Sequence, residues 1–380
     1  MSQKEITHLK IGVLGGGQLG RMMVQSAINY NLDISIIDPD PNAPCSHLVE
    51  NFTVGKLTDE EAIYNWGKNF DLVTIEIENV SVVALKRLQS EGVKVYPQPE
   101  IIELIQDKRK QKTFYKANRI PTSDFVLTEN KTDVAKYNDM LPAVNKLGKE
   151  GYDGRGVQMI RSVQDLEKAF DKPGLLENLV DFDKELSVVV ARNENGETKC
   201  FPVVELSYHP EHNLVEFLFA PAQVDKSIEE KAYALAENVI EKLDMIGLLA
   251  VEMFLTKDGE LLVNEVAPRT HNSGHHTIEA NITSQFEQHL RAIMNMPLGS
   301  SDLITPAAMV NLLGEDGFTG NALHEGLSDC LAMKGVYVHL YGKKITKPFR
   351  KMGHVTITDS DIDTLKTKAR KVKDTLKITA

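Results

Sequence analysis

The stretch with the most chemical character is residues 264–277, which reads Asn-Glu-Val-Ala-Pro-Arg-Thr-His-Asn-Ser-Gly-His-His-Thr. It combines a carboxylate, an arginine, three histidines and two carboxamides, and it lacks the apolar period of a core helix or strand. This composition suits neither a hydrophobic core nor an ordinary solvated loop. We therefore expect a functional site here.

A β-hairpin is predicted directly before this stretch. Two apolar-rich runs flank Asp258-Gly259, a dipeptide typical of a two-residue turn. Counting outward from that turn at fixed register places Glu252 opposite Glu265. Facing carboxylates repel each other by up to about 1 kcal/mol, and a hard cation bound by oxygen atoms removes the repulsion. The pair is expected to hold a cation, with Asn264 or a substrate phosphate completing the ligands; the alternative is two strand-end glutamates in water.

Composition and charge limit the class of protein. A length of 380 residues, 42% of them apolar and 26% charged, suits a globular protein of two or three domains. The net charge of -11 argues against a non-specific nucleic-acid or membrane surface. No apolar run approaches a membrane span, the start lacks a signal-peptide core, and three distant cysteines indicate a reducing compartment. We expect a cytoplasmic protein.

A strand, a glycine-rich turn and a helix are predicted at residues 10–29. With Asp38 ending the next strand, the spacing fits a dinucleotide site, in which turn amides hold a phosphate and the acid holds a ribose. The same unit also serves other ligands, or none. Glu76 and Glu78 end a later strand, where α/β sheets bind ligands. They either face a substrate or lie in water.

The middle of the chain carries several features suited to a nucleotide. A basic run at 108–112 lies within a predicted helix at 100–118, and Lys146 lies on a strand that precedes a glycine-rich loop at 148–156. Such a loop can place its amides on phosphates, although it lacks the Walker pattern. The alternative for the basic run is a solvated helix face, and the alternative for the loop is a plain flexible hairpin. Residues 175–180 could form an adenine slot, with Glu185 at a ribose.

The composition changes after Pro297, and a small C-terminal domain is predicted there. Lys343, Arg350 and Lys351 cluster on one predicted strand pair. This clustering favours phosphate binding over a solvated basic surface. The lysines of the closing helix are expected to be solvated.

The order of these parts resembles the ATP-grasp superfamily and, more narrowly, the N5-carboxyaminoimidazole ribonucleotide synthase family. The resemblance rests on Gly-Gly-Gly-Gln-Leu-Gly-Arg-Met at 15–22, Gly-Tyr-Asp-Gly-Arg-Gly at 151–156, Asn-Glu-Val-Ala-Pro-Arg at 264–269, His-Asn-Ser-Gly-His at 271–275, His-Leu-Tyr-Gly-Lys at 339–343 and Arg-Lys-Met-Gly-His at 350–354. It implies a mixed α/β fold in three parts: a Rossmann-like parallel-sheet domain at 1–106, an ATP-grasp domain at 107–297 and a small sandwich-like domain at 298–380.

The resemblance also implies a reaction, that of an ATP-dependent carbon–nitrogen ligase of purine biosynthesis. ATP phosphorylates bicarbonate to carboxyphosphate, and the exocyclic amine of 5-aminoimidazole ribonucleotide captures the carboxyl group or the carbon dioxide released from it. Mg²⁺, or Mn²⁺ in its place, neutralises charge on the moving phosphoryl group. Alternatives are a formate-dependent transformylase, an NAD-dependent oxidoreductase and a catalytically silent regulator. The family further suggests a homodimer, and it leaves open whether the product is handed to a mutase.

Position by position, the resemblance implies four groups of site residues. Those expected at ATP are Lys108, Lys146, Gly151, Tyr152, Asp153, Gly154, Arg155, Gly156, Val157, Glu177, Asn178, Leu179, Val180, Glu185, His209, Asn264 and Glu265. The metal ligands are Glu252 and Glu265, and bicarbonate is expected at Arg269, His271 and Asn272. Those expected at the ribonucleotide are Gln18, Glu76, Tyr152, Asp153, Arg155, Lys343, Arg350 and Lys351, of which Asp153 and Lys343 are also expected to take part in catalysis. Glu150, Val157 and Thr270 depart from the family pattern, and the spacing leaves His212 as an alternative to His209.

Overall fold

The N-terminal part of the protein is a parallel sheet between helices; the computed structural model describes residues 6–149, 156–208 and 215–380. Its elements are β1 (Lys10–Leu14), α1 (Gln18–Ile28), β2 (Asp33–Asp38), β3 (Asn51–Val54), α2 (Glu60–Gly67), β4 (Leu72–Ile75), α3 (Val82–Ser90), β5 (Lys94–Val95) and α4 (Pro99–Ile105). The strand order is β3-β2-β1-β4-β5, with every pair parallel. Helices cover both faces, which is why the central strands are nearly all apolar.

A second, four-stranded sheet follows. Its segment contains α5 (Lys108–Ala117), β6 (Phe125–Thr128), α6 (Lys131–Val134), β7 (Ala143–Leu147), β8 (Val157–Ile160) and β9 (Gly174–Asn178), with the antiparallel order β6-β9-β7-β8. The prediction of one helix over 100–118 was wrong, because Asp107 separates α4 from α5. Its side chain accepts a hydrogen bond from the backbone N–H of Arg109 and so caps a new helix. Lys108 is therefore placed in the first turn of α5.

The largest sheet has nine strands and continues into the C-terminal region. Its segment begins with β10 (Phe182–Arg192), β11 (Thr198–Cys200), β12 (Val204–Tyr208), β13 (Val215–Ala220), α7 (Lys226–Lys242), β14 (Gly247–Thr256), β15 (Leu261–Ala267), α8 (Thr277–Ala280) and α9 (Gln285–Ile293). The chain ends with β16 (Ala307–Leu313), β17 (Gly320–Asn321), β18 (Leu323–Glu325), α10 (Leu327–Leu331), β19 (Val336–Leu340), β20 (Ile345–Thr346), β21 (Lys351–Thr358), α11 (Ile362–Thr375) and β22 (Lys377–Thr379). The strand order is β15-β14-β10-β12-β13-β16-β21-β19, with β11 on β10.

Apolar packing joins all three parts of the chain. Leu19 and Met22 of α1 share one buried cluster with Phe286 and Leu290 of α9 and with Tyr341, which follows β19. Burial of this surface stabilises the junction by the hydrophobic effect. The N-terminal glycine turn and the C-terminal basic residues are consequently held next to each other.

The predicted mixed α/β class is confirmed, because a parallel N-terminal sheet is followed by a four-stranded and a nine-stranded antiparallel sheet. Within the described ranges, no helix combines the length and the apolar character that crossing a membrane requires.

Candidate functional site

The hairpin of β14 and β15 brings Glu252 and Glu265 together as predicted, but by a different route. Thr256 and Glu260 close a loop of three residues, not two, and Gly259 in this loop has a left-handed φ of 80°. The prediction of a two-residue turn was therefore wrong. The longer loop shifts the pairing by one residue, and a β-bulge between residues 252 and 253 of β14 shifts it back, so that Glu252 faces Glu265.

The bulge also inserts Asn264 on the β15 side, and two lysines from other elements meet the hairpin there. Lys146 of β7 donates to the Asn264 Oδ1 at 3.2 Å, and Lys108 of α5 pairs with the Glu265 Oε2 at 2.9 Å. The charge of Lys108 lowers the pKa of Glu265. Burial and the charge of Glu265 raise the pKa of Glu252. A cation bound between the two carboxylates would reduce the repulsion between them.

The oxygen donors fit a hard cation such as Mg²⁺, which takes carboxylate, carbonyl and phosphate oxygens. Glu252 and Glu265 supply two carboxylates, and Asn264 adds a carboxamide. In the part of the chain that the structure describes, no group of three His, Cys, Asp or Glu side chains is placed to hold a metal ion. A cation at this pair would therefore take its remaining ligands from a bound substrate or from water.

Glu177 of β9 lies beneath the site with a side chain that is only 5% exposed. It pairs with Lys112 at 3.2 Å and with Lys146 at 3.0 Å, and it accepts a hydrogen bond from Ser123. Burial opposes its ionisation, but the charges of Lys146 and Lys112 together outweigh burial and lower its pKa. The carboxylate thus holds Lys146 in place. The segment that follows Glu177 in the chain is the one available to contact a ligand.

That following segment lines a recess of about 530 Å³. The lining residues are Asp139, Met140, Pro142, Asn178, Leu179, Val180 and Asp181. Glu185 lies on β10, which follows this segment in the chain, and burial raises the pKa of Glu185 to about 7. A recess that combines apolar side chains with polar ones is suited to a nucleoside.

The histidine-rich stretch follows β15 and lies against the carboxylate pair. The His271 Nε2 is 3.7 Å from the Glu252 Oε1, and Asn272 opens a single 3-10 turn, Asn272–Gly274. Arg269 pairs through its Nε with the Glu78 Oε1 at 2.9 Å. A carboxylate that follows β4 is therefore paired with a guanidinium that follows β15.

The amides of the N-terminal glycine turn are engaged by carboxylates of the chain itself. Gly16 donates to Asp38 at 2.7 Å, and Gly17 and Gly20 donate to Glu76. Glu76 is 9% exposed, so the alternative of a strand end in water is wrong for this residue. Since these amides already have anionic acceptors, the turn is a poor site for the phosphates of a dinucleotide.

The C-terminal basic residues meet this turn from the other side. The Lys343 Nζ donates to the Gln18 Oε1 at 2.9 Å and to the Lys351 carbonyl at 2.8 Å. Arg350 donates to the carbonyl of Ile345 at 2.6 Å. Gln18 and Lys343, which resemblance assigned to one ligand, thus lie in contact.

Comparison with known proteins decides the family. Residues 8–106 match the ribonucleotide synthetase preATP-grasp domain, 113–286 the ATP-grasp domain, and 307–368 the phosphoribosylaminoimidazole carboxylase C-terminal domain. The N5-carboxyaminoimidazole ribonucleotide synthase of Bacillus subtilis is 39% identical, over 91% of this chain and 90% of its own length. The chain belongs to the N5-carboxyaminoimidazole ribonucleotide synthase family. It spans 65% of the phosphoribosylaminoimidazole carboxylase of Vigna aconitifolia, which is also 39% identical and matches 93% of this chain.

Solved structures of the N5-carboxyaminoimidazole ribonucleotide synthase family have the same fold. The synthetase of Thermotoga maritima is 44% identical, with a TM-score of 0.91 over 98% of this chain and 99% of that chain. The enzyme of Aspergillus clavatus, solved with ADP and 5-aminoimidazole ribonucleotide, is 33% identical, with a TM-score of 0.88 over 97% of this chain and 99% of that chain.

Most of the site residues implied by resemblance to this synthase family lie around one cleft. One group surrounds the carboxylate pair: Lys108, Lys146, Glu177, Glu185, Glu252, Asn264, Glu265, Arg269 and His271. The ribonucleotide group has Gln18, Glu76, Lys343, Arg350 and Lys351 at the junction of the N- and C-terminal parts. Gly156, with a φ of 77°, precedes Val157 at the start of β8. Gly151, Tyr152, Asp153, Gly154, Arg155 and His209 lie outside the described residues.

Sequence reasoning missed three residues that hold this site. Lys112 was read only as part of a basic run, although its spacing of four from Lys108 places both on one helix face. Glu78 was considered for a substrate, yet it pairs with Arg269. Gln285 hydrogen-bonds to the backbone of His271, and nothing in the local sequence pattern indicates this contact.

Proposed function

We propose that this protein joins bicarbonate to the exocyclic amine of 5-aminoimidazole ribonucleotide, using ATP, to give N5-carboxyaminoimidazole ribonucleotide, ADP and phosphate. The observation that carries the proposal is the convergence of two facing carboxylates, two lysines and the His271 loop in one cleft. Membership of the synthase family supports the identity of the substrates. The Aspergillus clavatus relative binds both ADP and the ribonucleotide.

ATP is proposed to lie between the two antiparallel sheets. Lys108 and Lys146 would bind phosphate oxygens, residues 178–180 would receive the adenine, and Glu185 would bind the ribose. Lys108 would then leave Glu265 and pair with a phosphate oxygen of ATP. Glu252 and Glu265 would hold Mg²⁺, which supplies charge neutralisation at the phosphate oxygens during phosphoryl transfer.

Bicarbonate is proposed to lie beside this pair, at Arg269, His271 and Asn272. Charge accumulates on the carboxyphosphate oxygens, and donors fixed in advance stabilise it at little reorganisation cost. The Glu78 carboxylate is proposed to keep Arg269 near this position by charge attraction, since its Oε1 lies 2.9 Å from the Arg269 Nε.

The ribonucleotide is proposed to lie at the junction of α1 and the C-terminal strands. Gln18 and Lys343 are in contact there, Lys351 is adjacent, and Arg350 could swing from its own loop toward a phosphate. Glu76 would act mainly through the turn that it braces. The roles of Tyr152, Asp153 and Arg155, the homodimer, the transfer to a mutase and the cytoplasmic location stay predictions.

The test is ADP release from magnesium-ATP, with and without the ribonucleotide and with bicarbonate depleted or restored. We expect release to be stimulated by the ribonucleotide and to fall without bicarbonate. Incorporation of labelled bicarbonate into an acid-labile product would identify the carboxylation. No stimulation while ATP still binds would overturn the substrate assignment, and stimulation by formate instead would favour a transformylase.

A further inference from the structure

One buried side chain satisfies both backbone polar groups of His271. The Gln285 Oε1 accepts from the His271 N–H at 2.8 Å, and the Gln285 Nε2 donates to the His271 carbonyl at 2.7 Å. Gln285 is fully buried in the first turn of α9. A Cβ at Gly274 would lie 2.5 Å from its Oε1, so the loop can close around this carboxamide only with glycine there. The backbone of His271 is thereby fixed.

The imidazole ring of His271 is fixed separately, through its Nδ1. This atom accepts a hydrogen bond from the Ser273 backbone N–H at 3.3 Å and lies 2.9 Å from the Ser273 Oγ. A backbone N–H can only donate, so Nδ1 must present its lone pair. The neutral ring therefore carries its proton on Nε2.

The same constraint sets the direction of a hydroxyl chain. Since Nδ1 has no proton, the Ser273 hydroxyl donates to it and its oxygen accepts from Ser187, whose Oγ is 2.9 Å away. Ser187 is fully buried on β10, where it pairs with Glu252 of β14. The central sheet that carries the metal carboxylate thus also sets the orientation of the histidine.

We propose that Ser187, Ser273 and Gln285 are positioning residues that present the His271 Nε2–H as a hydrogen-bond donor to the carboxyl oxygens of bicarbonate and carboxyphosphate. The Nε2 faces the carboxylate side of the cleft, 3.7 Å from the Glu252 Oε1. Ser187 and Gln285 are too deeply buried to touch a substrate, so they act through His271. The identity of the ligand rests on the proposed function, whereas the state of the ring does not.

The first measurement is the tautomer of His271 in the full-length protein labelled with ¹⁵N-histidine. Long-range proton–nitrogen correlation spectra distinguish a ring nitrogen that carries a proton from one that does not, and a His271→Asn variant identifies the signal. We expect the proton on Nε2 in the wild type. In Ser187→Ala the Ser273 hydroxyl loses its donor, and we expect a shift toward the Nδ1 tautomer that stays partial, because the Ser273 N–H still donates to Nδ1 at 3.3 Å. A proton on Nδ1 in the wild-type protein would overturn the proposal.

The second measurement is kinetic. Ser187→Ala is expected to lower kcat/KM for bicarbonate by about 3- to 10-fold, the effect of one buried hydrogen bond, while KM for ATP stays unchanged. The matched control is Thr379→Val, which also removes one buried hydroxyl that donates a hydrogen bond, in this case to Glu325 at 2.6 Å on the separate β18–β22 strand pair. Equal bicarbonate kinetics and equal His271 spectra in the two variants would refute the positioning role.

Gln285→Glu tests the backbone clamp, because a carboxylate accepts from the His271 N–H but cannot donate to its carbonyl. We expect it to lower bicarbonate use more than ATP use; if it does not fold, the Ser187→Ala comparison decides the proposal. If the wild-type protein showed no carboxylation, the proposed function would be wrong. The tautomer of His271 is measured without turnover, so that result would test the positioning role separately.

Discussion

Replacing Lys112 with methionine removes an ammonium group that lies almost wholly inside the protein. The Lys112 side chain is 2% exposed, and its Nζ is 3.2 Å from the Glu177 Oε1. It also donates to Thr122 at 2.5 Å and to Ser123 at 3.1 Å. Burial lowers the pKa of Lys112 to about 8, so the group is still charged at neutral pH. Methionine keeps the unbranched apolar part of the side chain and deletes the terminal ammonium with its charge and its donors.

The expected loss of stability follows from this geometry. At 3.2 Å, Coulomb attraction amounts to about 5 kcal/mol with an effective dielectric constant of ~20, and desolvation offsets part of it. Removing one partner of a buried pair typically costs about 3–5 kcal/mol, since the other charge stays uncompensated. Glu177 keeps Lys146 at 3.0 Å, so we expect the lower end, about 3 kcal/mol.

The assay is urea unfolding followed by circular dichroism at neutral pH, with Lys110→Met as the control. Lys110 lies on the same helix, is 52% exposed and pairs with Glu103 at 2.8 Å, so its loss should cost under about 1 kcal/mol. The double variant Lys112→Met/Glu177→Gln should be no more stable than Lys112→Met alone, because the second change also takes the Glu177 carboxylate away from Lys146. Equal unfolding of Lys112→Met and Lys110→Met would refute the buried counter-ion reasoning.

Three further predictions concern function and pH. Glu265→Gln is expected to abolish turnover without loss of folded structure by circular dichroism; wild-type rates would remove the metal assignment. Lys343→Ala is expected to raise KM for the ribonucleotide more than KM for ATP, and unchanged ribonucleotide kinetics would exclude that role. Burial raises the pKa of Glu185 from 4.5 to about 7, so the folded state holds a proton that the unfolded state has lost. The free energy of unfolding should therefore fall by up to about 3 kcal/mol as the pH rises from 4.5 to about 7. An equal pH dependence of the free energy of unfolding in Glu185→Gln would contradict this prediction.

Much of the fold and part of the site could be predicted because the signals are local. Apolar runs and glycine turns predict the strand–turn–helix unit at the N-terminus, and alternating patterns predict the strands around Lys146 and Glu185. The facing of Glu252 and Glu265 also followed from local pairing. That prediction succeeded because two register shifts, the extra loop residue and the bulge, cancel each other.

The sequence by itself determined the order of elements, the family and the residue types available to the cleft. Only the tertiary structure decided which of those side chains bind a ligand and which hold the others. Lys343 meets Gln18 across 325 positions of the chain, and Lys108 meets Glu265 across 157. Glu76 braces a turn, Glu177 becomes a buried counter-ion, and Gln285 clamps His271. The physical reason is that burial and charge pairing depend on neighbours brought close by folding, whereas periodicity reports only on neighbours along the chain.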